Sequence, residues 1–473
     1  MNNSRKILFV KPPDRFLEDE FVYQQLGPHY LQSFLSSHGF DSDLLILYRD
    51  RSEAELSSTI NLEQLLMLGV YSDGTTFEGT FNFDFFEFYD IVGMSVMTPQ
   101  APDAYLLNTA LKKRFPKITT IIGGSHPRYY QKQVEELPES ESFHFVVPQD
   151  GWRPMLQIAC GSVVKRGTSI TLVDNHEKLI NLPPPTRPPL LLEKYNFQIG
   201  GVPAFHAVSA LGCPFTCHFC ESGVERVRLF SNEIVCEDLK NIAHAHQSLK
   251  HSKRGLMFFD DVGLMSPLQV SRLAEHISNA GFDTWRAFTH AYLVVNHKNK
   301  ILAPFVNSGG KRIGIGLETG SQRSLDLINK QNGKSQSVRD HYDAVTIANE
   351  HGIAVDAFTM IYPWEDEHDL SETTDLVEFI ATSPVNGIDD QGRPLRNHVD
   401  STIMSPYQGT KFFDMIRLGN LPGVELDLTV DPGRMYYKGN QGGSGWPYLK
   451  TRLPRSIYEE AQAYRNSLRP KYR

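Results

Sequence analysis

The sequence lacks three features that define large classes of proteins. Among its 473 residues no apolar run approaches the ~18 residues that a membrane-spanning helix needs. Lys and Arg number 47 against 55 Asp and Glu, so no positive excess favours a nucleic-acid backbone as partner. The apolar run from Ile7 to Val10 is too short for a signal peptide. We therefore expect a cytoplasmic protein with neither a membrane nor a nucleic acid as partner.

Cysteine is scarce as well. Five cysteines, an odd number in a long chain, provide no disulfide framework, so the thiols are expected to be reduced. Cys160 and Cys236 stand alone and are expected to be inert. The other three, Cys213, Cys217 and Cys220, lie together in the stretch CPFTCHFC. The chemistry of the protein is therefore expected at this stretch.

The first 160 residues alternate between strand-like and helix-like segments, apart from residues 49–89, which are expected to be irregular. Strands separated by helices predict a doubly wound parallel sheet of the Rossmann type. Ligands of such sheets bind beyond the carboxyl ends of the strands. The candidate ligand-binding residues at these ends are Ser95, Thr98, Gly123, Gly124 and His126.

A second alternating region follows residues 161–203, which are expected to be a stiff linker because five prolines lie between 183 and 189. Over 204–382 the segments predict the strands of a partial (β/α)6 barrel, with a sixth strand near 398–406. Residues 383–473, which include 430–454, form a small C-terminal region that is expected to shape substrate specificity. The predicted fold class is therefore α/β.

Polar or thiol groups follow each predicted strand of the barrel, where barrel enzymes place their chemistry. Asp260 and Glu318 are candidates to face the barrel mouth. Tyr362, Trp364 and Tyr407 are candidates to line the substrate space, although aromatic residues at strand ends most often belong to the core. The sequence itself identifies no catalytic residue.

Three cysteines in one loop suit an iron–sulfur cluster better than zinc. Thiolates are soft ligands that bind both. A [4Fe–4S] cluster held by three cysteines leaves one iron open to a small-molecule chelate. Zinc would need a fourth ligand, such as His206 or His218, and the gap of three residues between Cys213 and Cys217 is longer than zinc knuckles favour.

CPFTCHFC resembles the CxxxCxxC signature of the radical S-adenosylmethionine (SAM) superfamily, with an aromatic residue, Phe219, before the last cysteine. GLMFFDDVGLM and GIGLETGSQRSLDLINK resemble later segments of that superfamily, although Tyr362-Pro363-Trp364-Glu365 replaces its glycine-rich turn. The resemblance implies that the three cysteines hold a [4Fe–4S] cluster whose open iron binds SAM. Reductive cleavage of SAM would then yield a 5′-deoxyadenosyl radical.

The same resemblance implies that Phe219, Asp260 and Glu318 contact the SAM cofactor, and that flavodoxin or ferredoxin donates the electron. In the first domain DIVGMSVMTPQAPDA, IIGGSHP and VVPQDGWRPM resemble the cobalamin-binding domain of one branch of this superfamily. The cobalt-ligating DxHxxG motif is absent, and the nearest fragments, DNHEKL (174–179) and DEHDLS (366–371), lack its glycine.

The resemblance favours cobalamin-dependent methylation of a carbon atom in a small molecule or a peptide. One alternative is a radical SAM enzyme without methyl transfer, catalysing dehydration, cyclisation or epimerisation, with a degenerate cobalamin domain. An alternative of another class is a binding protein stabilised by zinc.

Overall fold

The chain folds into two compact units. In the computed structural model, the first comprises residues 1–196 with 231–238, and the second comprises residues 197–230 with 239–473. The described residues are 5–14, 17, 19–49, 61–139, 141–163, 169–173, 179–330, 337–389, 392–421, 423–426 and 449–470. Most of 430–454 and of DNHEKL lies outside them. In this described part, no helix is both long enough and apolar enough to cross a membrane.

The first unit is built on an eight-stranded sheet. Its strands are β1 (Ile7–Lys11), β2 (Ser42–Arg49), β3 (Leu65–Val70), β4 (Thr76–Thr80), β5 (Ile91–Ser95), β6 (Thr119–Gly123), β7 (Phe145–Val146) and β8 (Ile170–Thr171). Their order is β4-β3-β2-β1-β5-β6-β7-β8. The helices of this unit are α1 (Leu26–Ser37), α2 (Ala101–Arg114), α3 (Ser125–Glu135), α4 (Trp152–Ala159) and α5 (Pro189–Leu192).

Parallel pairing runs from β2 through β1 and β5 to β8. The central strand β1 is buried along its whole length, as expected for a parallel strand covered on both faces. Val92 and Met94 of β5 pack in one apolar cluster with Leu107 and Leu111 of α2. The burial of these apolar strand residues is why the sequence pattern predicts the parallel strands β1, β2, β5, β6 and β7. It does not predict β8, which lies within the segment 161–203 that was expected to be a linker.

The expectation of an irregular segment over 49–89 is wrong for residues 65–80. Strands β3 and β4 form there and extend the sheet in antiparallel pairing with β2. Leu65, Leu68 and Val70 are buried, so one part of this segment belongs to the core. Only β4 lies at the edge of the sheet, and its sequence TFEGT has no apolar run, so its sequence signal is weak.

The carboxyl ends of β5 and β6 are joined closely by backbone hydrogen bonds. Val96 N donates to Gly123 O at 2.8 Å, and His126 N donates to Val96 O at 2.9 Å. Gly124 has φ +97°, and a Cβ atom there would lie 2.6 Å from Val96 O. Only glycine permits this approach without strain. The edge of the sheet where a ligand is predicted to bind is therefore a corner at which the backbones after β5 and β6 pack closely together.

The second unit contains a seven-stranded sheet in the order β17-β16-β15-β14-β13-β10-β9. Its strands are β9 (Gln198–Ile199), β10 (Val202–Ala207), β13 (Gly255–Phe258), β14 (Thr284–Thr289), β15 (Gly310–Glu318), β16 (Ala354–Ile361) and β17 (His398–Ile403). Two ribbons are formed by β11 (Ala210–Leu211) with β12 (Arg228–Leu229), and by β18 (Glu425–Leu426) with β19 (Leu449–Lys450). The six strands from β10 to β17 in the large sheet are parallel, which confirms the predicted partial barrel.

The helices that follow along the chain are α6 (Asn232–Ser248), α7 (Pro267–Ala280), α8 (Ala291–His297), α9 (Asn299–Asn307), α10 (Gln322–Leu327), α11 (Arg339–Glu350), α12 (Glu367–Thr382), α13 (Lys411–Arg417) and α14 (Arg455–Ser467). Alternate residues of β15 lie on one face of the sheet, and Gly314 and Gly316 are among them. A Cβ atom on Gly314 would clash with the ring of Phe288, and one on Gly316 would lie 2.9 Å from Lys330 Nζ. These glycines therefore make room for larger side chains on the same face.

We predict that Gly124→Ala lowers the free energy of unfolding of the first unit by about 2 kcal/mol, because it combines a left-handed φ with backbone overlap. The matched control is Gly79→Ala in β4, where a Cβ atom would meet nothing within 4 Å. Urea unfolding of both variants is measured in a background in which Trp285, Trp364 and Trp446 are replaced by Phe, so that the fluorescence comes from Trp152 of the first unit. Equal midpoints in the two variants would contradict the close approach at Gly124.

Candidate active site

The loop that carries the three cysteines is closed at its base by a short ribbon. β11 and β12 pair in antiparallel register, Ala210 opposite Leu229 and Leu211 opposite Arg228. Inside this ribbon Cys213 N donates to Glu225 O at 3.2 Å. The ribbon therefore holds the loop together before any metal binds.

The middle of the loop is held by residues far away in sequence. His218 N donates to Ile328 O at 2.9 Å, and its Nδ1 lies 2.9 Å from Leu327 O at the end of α10. Phe412 N of α13 donates to His218 O, also at 2.9 Å. His218 is thereby engaged with the polypeptide and serves to position Cys217 and Phe219 on either side of it.

Burial shapes the acidity of the three thiols. It raises the pKa of Cys213 to about 11 and that of Cys217 to about 12, and it also raises the pKa of Cys220. The charge of Cys220 further raises the pKa values of Cys213 and Cys217, which indicates that the three thiols share one site. The Lys330 ammonium lowers the pKa values of Cys213 and Cys217. Without a metal the thiols are protonated near neutral pH, and metal binding must release these protons.

The described residues contain no group of three or more His, Cys, Asp or Glu side chains placed to hold a metal ion. Neither zinc-ligand candidate joins the thiols in such a group. His206 is fully buried and its ring stacks on Phe259 at 4.1 Å, whereas His218 bonds to the Leu327 carbonyl. A cubane cluster binds each cysteine through a different iron, so three separate thiols suit it better than a single zinc ion.

Beside the loop lies a buried ion pair between Glu318 and Lys330. Lys330 Nζ is 2.5 Å from Glu318 Oε1, and both side chains are less than a tenth exposed. Glu318 has φ +67°, an uncommon backbone conformation for this residue type, at a β-bulge where β15 ends. The pair lies over Gly316, whose missing side chain leaves the space that it occupies.

Lys330 links this ion pair to the cysteines. Cys217 Sγ is 3.8 Å from Lys330 O, and Lys330 Nζ lies 5.9 Å from the centre of the Phe219 ring. The structure thus brings three predicted site residues, Cys217, Phe219 and Glu318, around a lysine that sequence reasoning missed. Lys330 is the last residue of GIGLETGSQRSLDLINK, but a buried lysine cannot be told from a solvated one by sequence.

Asp260 supports the start of the loop. Ser209 N donates to Asp260 Oδ1 at 2.6 Å, and the Ser209 hydroxyl donates to its other oxygen. Burial raises the pKa of Asp260 to about 7 despite these hydrogen bonds. Its neighbour Asp261 accepts a hydrogen bond from Ser222 at 2.8 Å. The two adjacent carboxylates therefore bind different parts of the cysteine loop, and a contact of Asp260 with the cofactor remains a prediction.

The aromatic candidates for substrate binding have different surroundings. Tyr362 and Trp364 are at most 1% exposed and belong to an apolar cluster with Phe412. The structure therefore places both in the core and not on an open surface, because their rings stack on each other at 4.6 Å. Tyr407 is half-buried, and its assignment to the substrate space remains a prediction.

In the first unit the candidate residues lie together at the corner between β5 and β6. Gly124 is exposed, Ser95 and Gly123 are half-buried, and Thr98 and His126 are buried. His126 Nε2 hydrogen-bonds to the Tyr105 hydroxyl, and its ring stacks on Tyr130 at 5.1 Å. Its Nδ1 has no hydrogen-bond partner within the described ranges, and burial lowers the pKa of the imidazole to about 4.

Comparisons with known proteins agree with the resemblance in the sequence. Residues 208–377 match the family model described as the radical SAM superfamily. An uncharacterised methyltransferase of Pyrococcus horikoshii is 25% identical over 354 residues, which cover 70% of this chain and 70% of the relative. The barrel segment of this chain is thus similar to the radical SAM superfamily, and this similarity supports a [4Fe–4S] cluster and SAM as cofactors.

Two solved structures share the fold. The cobalamin-dependent S-adenosylmethionine radical enzyme OxsB, with aqua-cobalamin and S-adenosylmethionine bound, matches with a TM-score of 0.70 at 14% identity over 98% of this chain and 67% of its own. The radical S-adenosylmethionine methyltransferase TsrM from Kitasatospora setae, with cobalamin and a [4Fe–4S] cluster bound, matches with a TM-score of 0.64 at 13% identity. This match covers 99% of this chain and 91% of TsrM. These matches confirm the predicted α/β fold.

We predict that Glu318→Ala and Lys330→Met each weaken SAM binding at least about tenfold, a loss of about 1.4 kcal/mol, because each removes one charge of the buried pair. Iron content should be unchanged, since neither residue supplies a thiol. Lys330→Arg keeps the positive charge and is the matched control. Equilibrium dialysis with labelled SAM measures affinity, and equal affinity in all four proteins would remove the pair from the cofactor site.

Proposed function

We propose that this protein is a cobalamin-dependent radical SAM methyltransferase that methylates a carbon atom of a small molecule or a peptide. The observation that carries the proposal is the three-thiol loop next to the buried Glu318–Lys330 pair at the end of the half-barrel strands. In this proposal residues 1–160 bind cobalamin, 161–203 are a linker, 204–382 hold the cluster and SAM, and 383–473 shape the substrate space. Flavodoxin or ferredoxin supplies the electron.

The donor set fits an iron–sulfur cluster. Cys213, Cys217 and Cys220 are soft ligands in one loop whose backbone is held by the β11–β12 ribbon and by His218. The nearby Lys330 ammonium favours the thiolate forms of Cys213 and Cys217. When bound, the cluster supplies the electron for reductive cleavage of SAM, and cobalamin carries the methyl group.

The charges of the ion pair fit the methionine part of SAM. An amino acid presents one ammonium and one carboxylate group, and the pair presents one carboxylate in Glu318 and one ammonium in Lys330. Phe219 lies beside Lys330 and adds an aromatic face to the same place. These residues therefore can orient the cofactor by charge while the buried surroundings exclude water.

The corner of the first unit fits a large planar cofactor. Gly124 is exposed at this corner, although the Val96 backbone takes up the space of its absent side chain, and His126 offers an imidazole nitrogen with no hydrogen-bond partner among the described residues. OxsB and TsrM, which share the fold, were solved with cobalamin bound. The names of TsrM and of the Pyrococcus relative support methyl transfer as the reaction.

We predict that anaerobically reconstituted protein holds about four irons per chain at the three-cysteine loop. Changing Cys213, Cys217 and Cys220 together to Ala should remove the iron and abolish SAM cleavage, because no other described group can replace three thiolates. Cys160→Ala and Cys236→Ala are the controls and should abolish neither. Iron analysis and quantification of 5′-deoxyadenosine measure the outcome, and retention of iron by the triple variant would overturn the assignment.

We predict that the first unit binds cobalamin without a histidine ligand to cobalt. His126 is buried and engaged with Tyr105, so we expect it to contact the periphery of the cofactor. Electron paramagnetic resonance of the cob(II)alamin form should show lines without nitrogen superhyperfine splitting. A nitrogen triplet that disappears in His126→Ala but persists in the control His38→Ala, a change of an exposed histidine, would contradict the absence of a histidine ligand. Failure to bind cobalamin would favour the radical SAM enzyme without methyl transfer.

A further inference from the structure

The sheet of the first unit has a topological switch point between β1 and β5. From β1 the chain crosses to β2 on one side, and from β5 it crosses to β6 on the other side, because the strand order is β4-β3-β2-β1-β5-β6-β7-β8. Helix α1 lies in the first crossover and helix α2 in the second. Ligands of open parallel sheets bind beyond the carboxyl ends of the strands at such a point. The residues that follow β1 and β5 are therefore the ones that a ligand of this unit meets first.

The side chain of Gln100 ties these two strand ends together. Its Nε2 donates to Pro12 O after β1, and its Oε1 accepts from Met97 N after β5, both at 2.9 Å. Gln100 N also donates to Met97 O at 2.9 Å. Gln100 is 1% exposed, so these hydrogen bonds are shielded from water. The backbone of Met97 is therefore fixed through both of its polar groups.

Met97 is the exposed residue at the switch point. Among residues 11–14 and 95–100, all of which the structure describes, Met97 alone is exposed, and Ser95 and Pro99 are half-buried. Met97 is 40% exposed, whereas Val96 before it is fully buried in the apolar core of the unit. Since the N and O atoms of Met97 are hydrogen-bonded inside the loop, its exposed surface is largely that of the thioether side chain.

The surroundings of Met97 leave its side chain standing above the edge of the sheet. On the β1 side Pro12 and Pro13 are buried, and on the β6 side Gly123 and Gly124 contribute no side chain. A single exposed apolar residue is common on protein surfaces. Met97 differs from such residues because its backbone is fixed and because it lies where the topology of the sheet places a ligand. A planar ligand that lies on this edge must contact the Met97 side chain.

We propose that the Met97 side chain lies against the face of the corrin ring of cobalamin that is turned toward the sheet, and that it excludes water from the cobalt on that face. This inference rests on the proposed function, which assigns cobalamin to the first unit. Methionine is unbranched and flexible, so it adapts to an irregular ligand surface. Its thioether carries no charge and is only a weak hydrogen-bond acceptor, so it covers the metal without binding water.

The experiment places a nitrogen ligand at position 97. Full-length Met97→His is reconstituted with cobalamin, reduced to the cob(II)alamin form and examined by electron paramagnetic resonance. We expect each cobalt line to split into a nitrogen triplet that the unmodified protein lacks, because the imidazole takes the place of the thioether next to the cobalt. Leu106→His is the matched control. Leu106 is 41% exposed but lies within α2, so its variant should show no triplet.

The outcomes separate this inference from the proposed function. Absence of cobalamin binding by the unmodified protein would contradict the proposed function itself. Cobalamin binding by Met97→His without a nitrogen triplet would overturn the inference, as would an equal triplet in Leu106→His. If Met97→His binds no cobalamin, Met97→Ala decides: in water enriched in a magnetic oxygen isotope its cobalt lines should broaden more than those of the unmodified protein, because water reaches the metal. Equal line widths would overturn the inference.

Discussion

The buried Glu318–Lys330 ion pair is the interaction on which the arrangement of the active site depends. Two charges removed from water are tolerated when each neutralises the other, whereas one alone would be costly. The pair needs the empty space over Gly316, which explains the glycine on that face of β15. It holds Lys330, and with it the segment after α10, against the cysteine loop. The charge of the site, the backbone of β15 and the position of Cys217 are therefore coupled.

The cysteine loop is built by the fold before it is completed by a metal. A ribbon closes its base, Asp260 holds its start, and the residues after α10 hold its middle. Burial keeps the thiols protonated in the absence of metal, so cluster assembly exchanges three protons for iron. A prepared loop with neutral thiols limits the repulsion that three thiolates would otherwise impose on the fold.

Much of the fold could be predicted because buried parallel strands carry a strong local signal. β1, β5 and β16 are nearly continuous apolar runs, and helices separate them. β3 was missed although its sequence LLMLGV is an apolar run, whereas β4, with the sequence TFEGT, has no such run. The pairing of β3 with β2 depends on residues that are distant in sequence. Tyr362 and Trp364 follow a strand as substrate residues do, but their stacking on each other and against Phe412 places them in the core.

The sequence by itself determined the three thiols, the alternation of buried parallel strands with helices, and the ends of those strands where ligands are expected. These properties are local, since they depend on spacing and on the period of apolar residues. Only the tertiary structure decided that Lys330 faces Glu318, that Asp260 binds Ser209, and that the Tyr362 hydroxyl is buried without a partner among the described residues. Such pairings join residues of different elements. They form only when the chain folds, and no local sequence pattern encodes them.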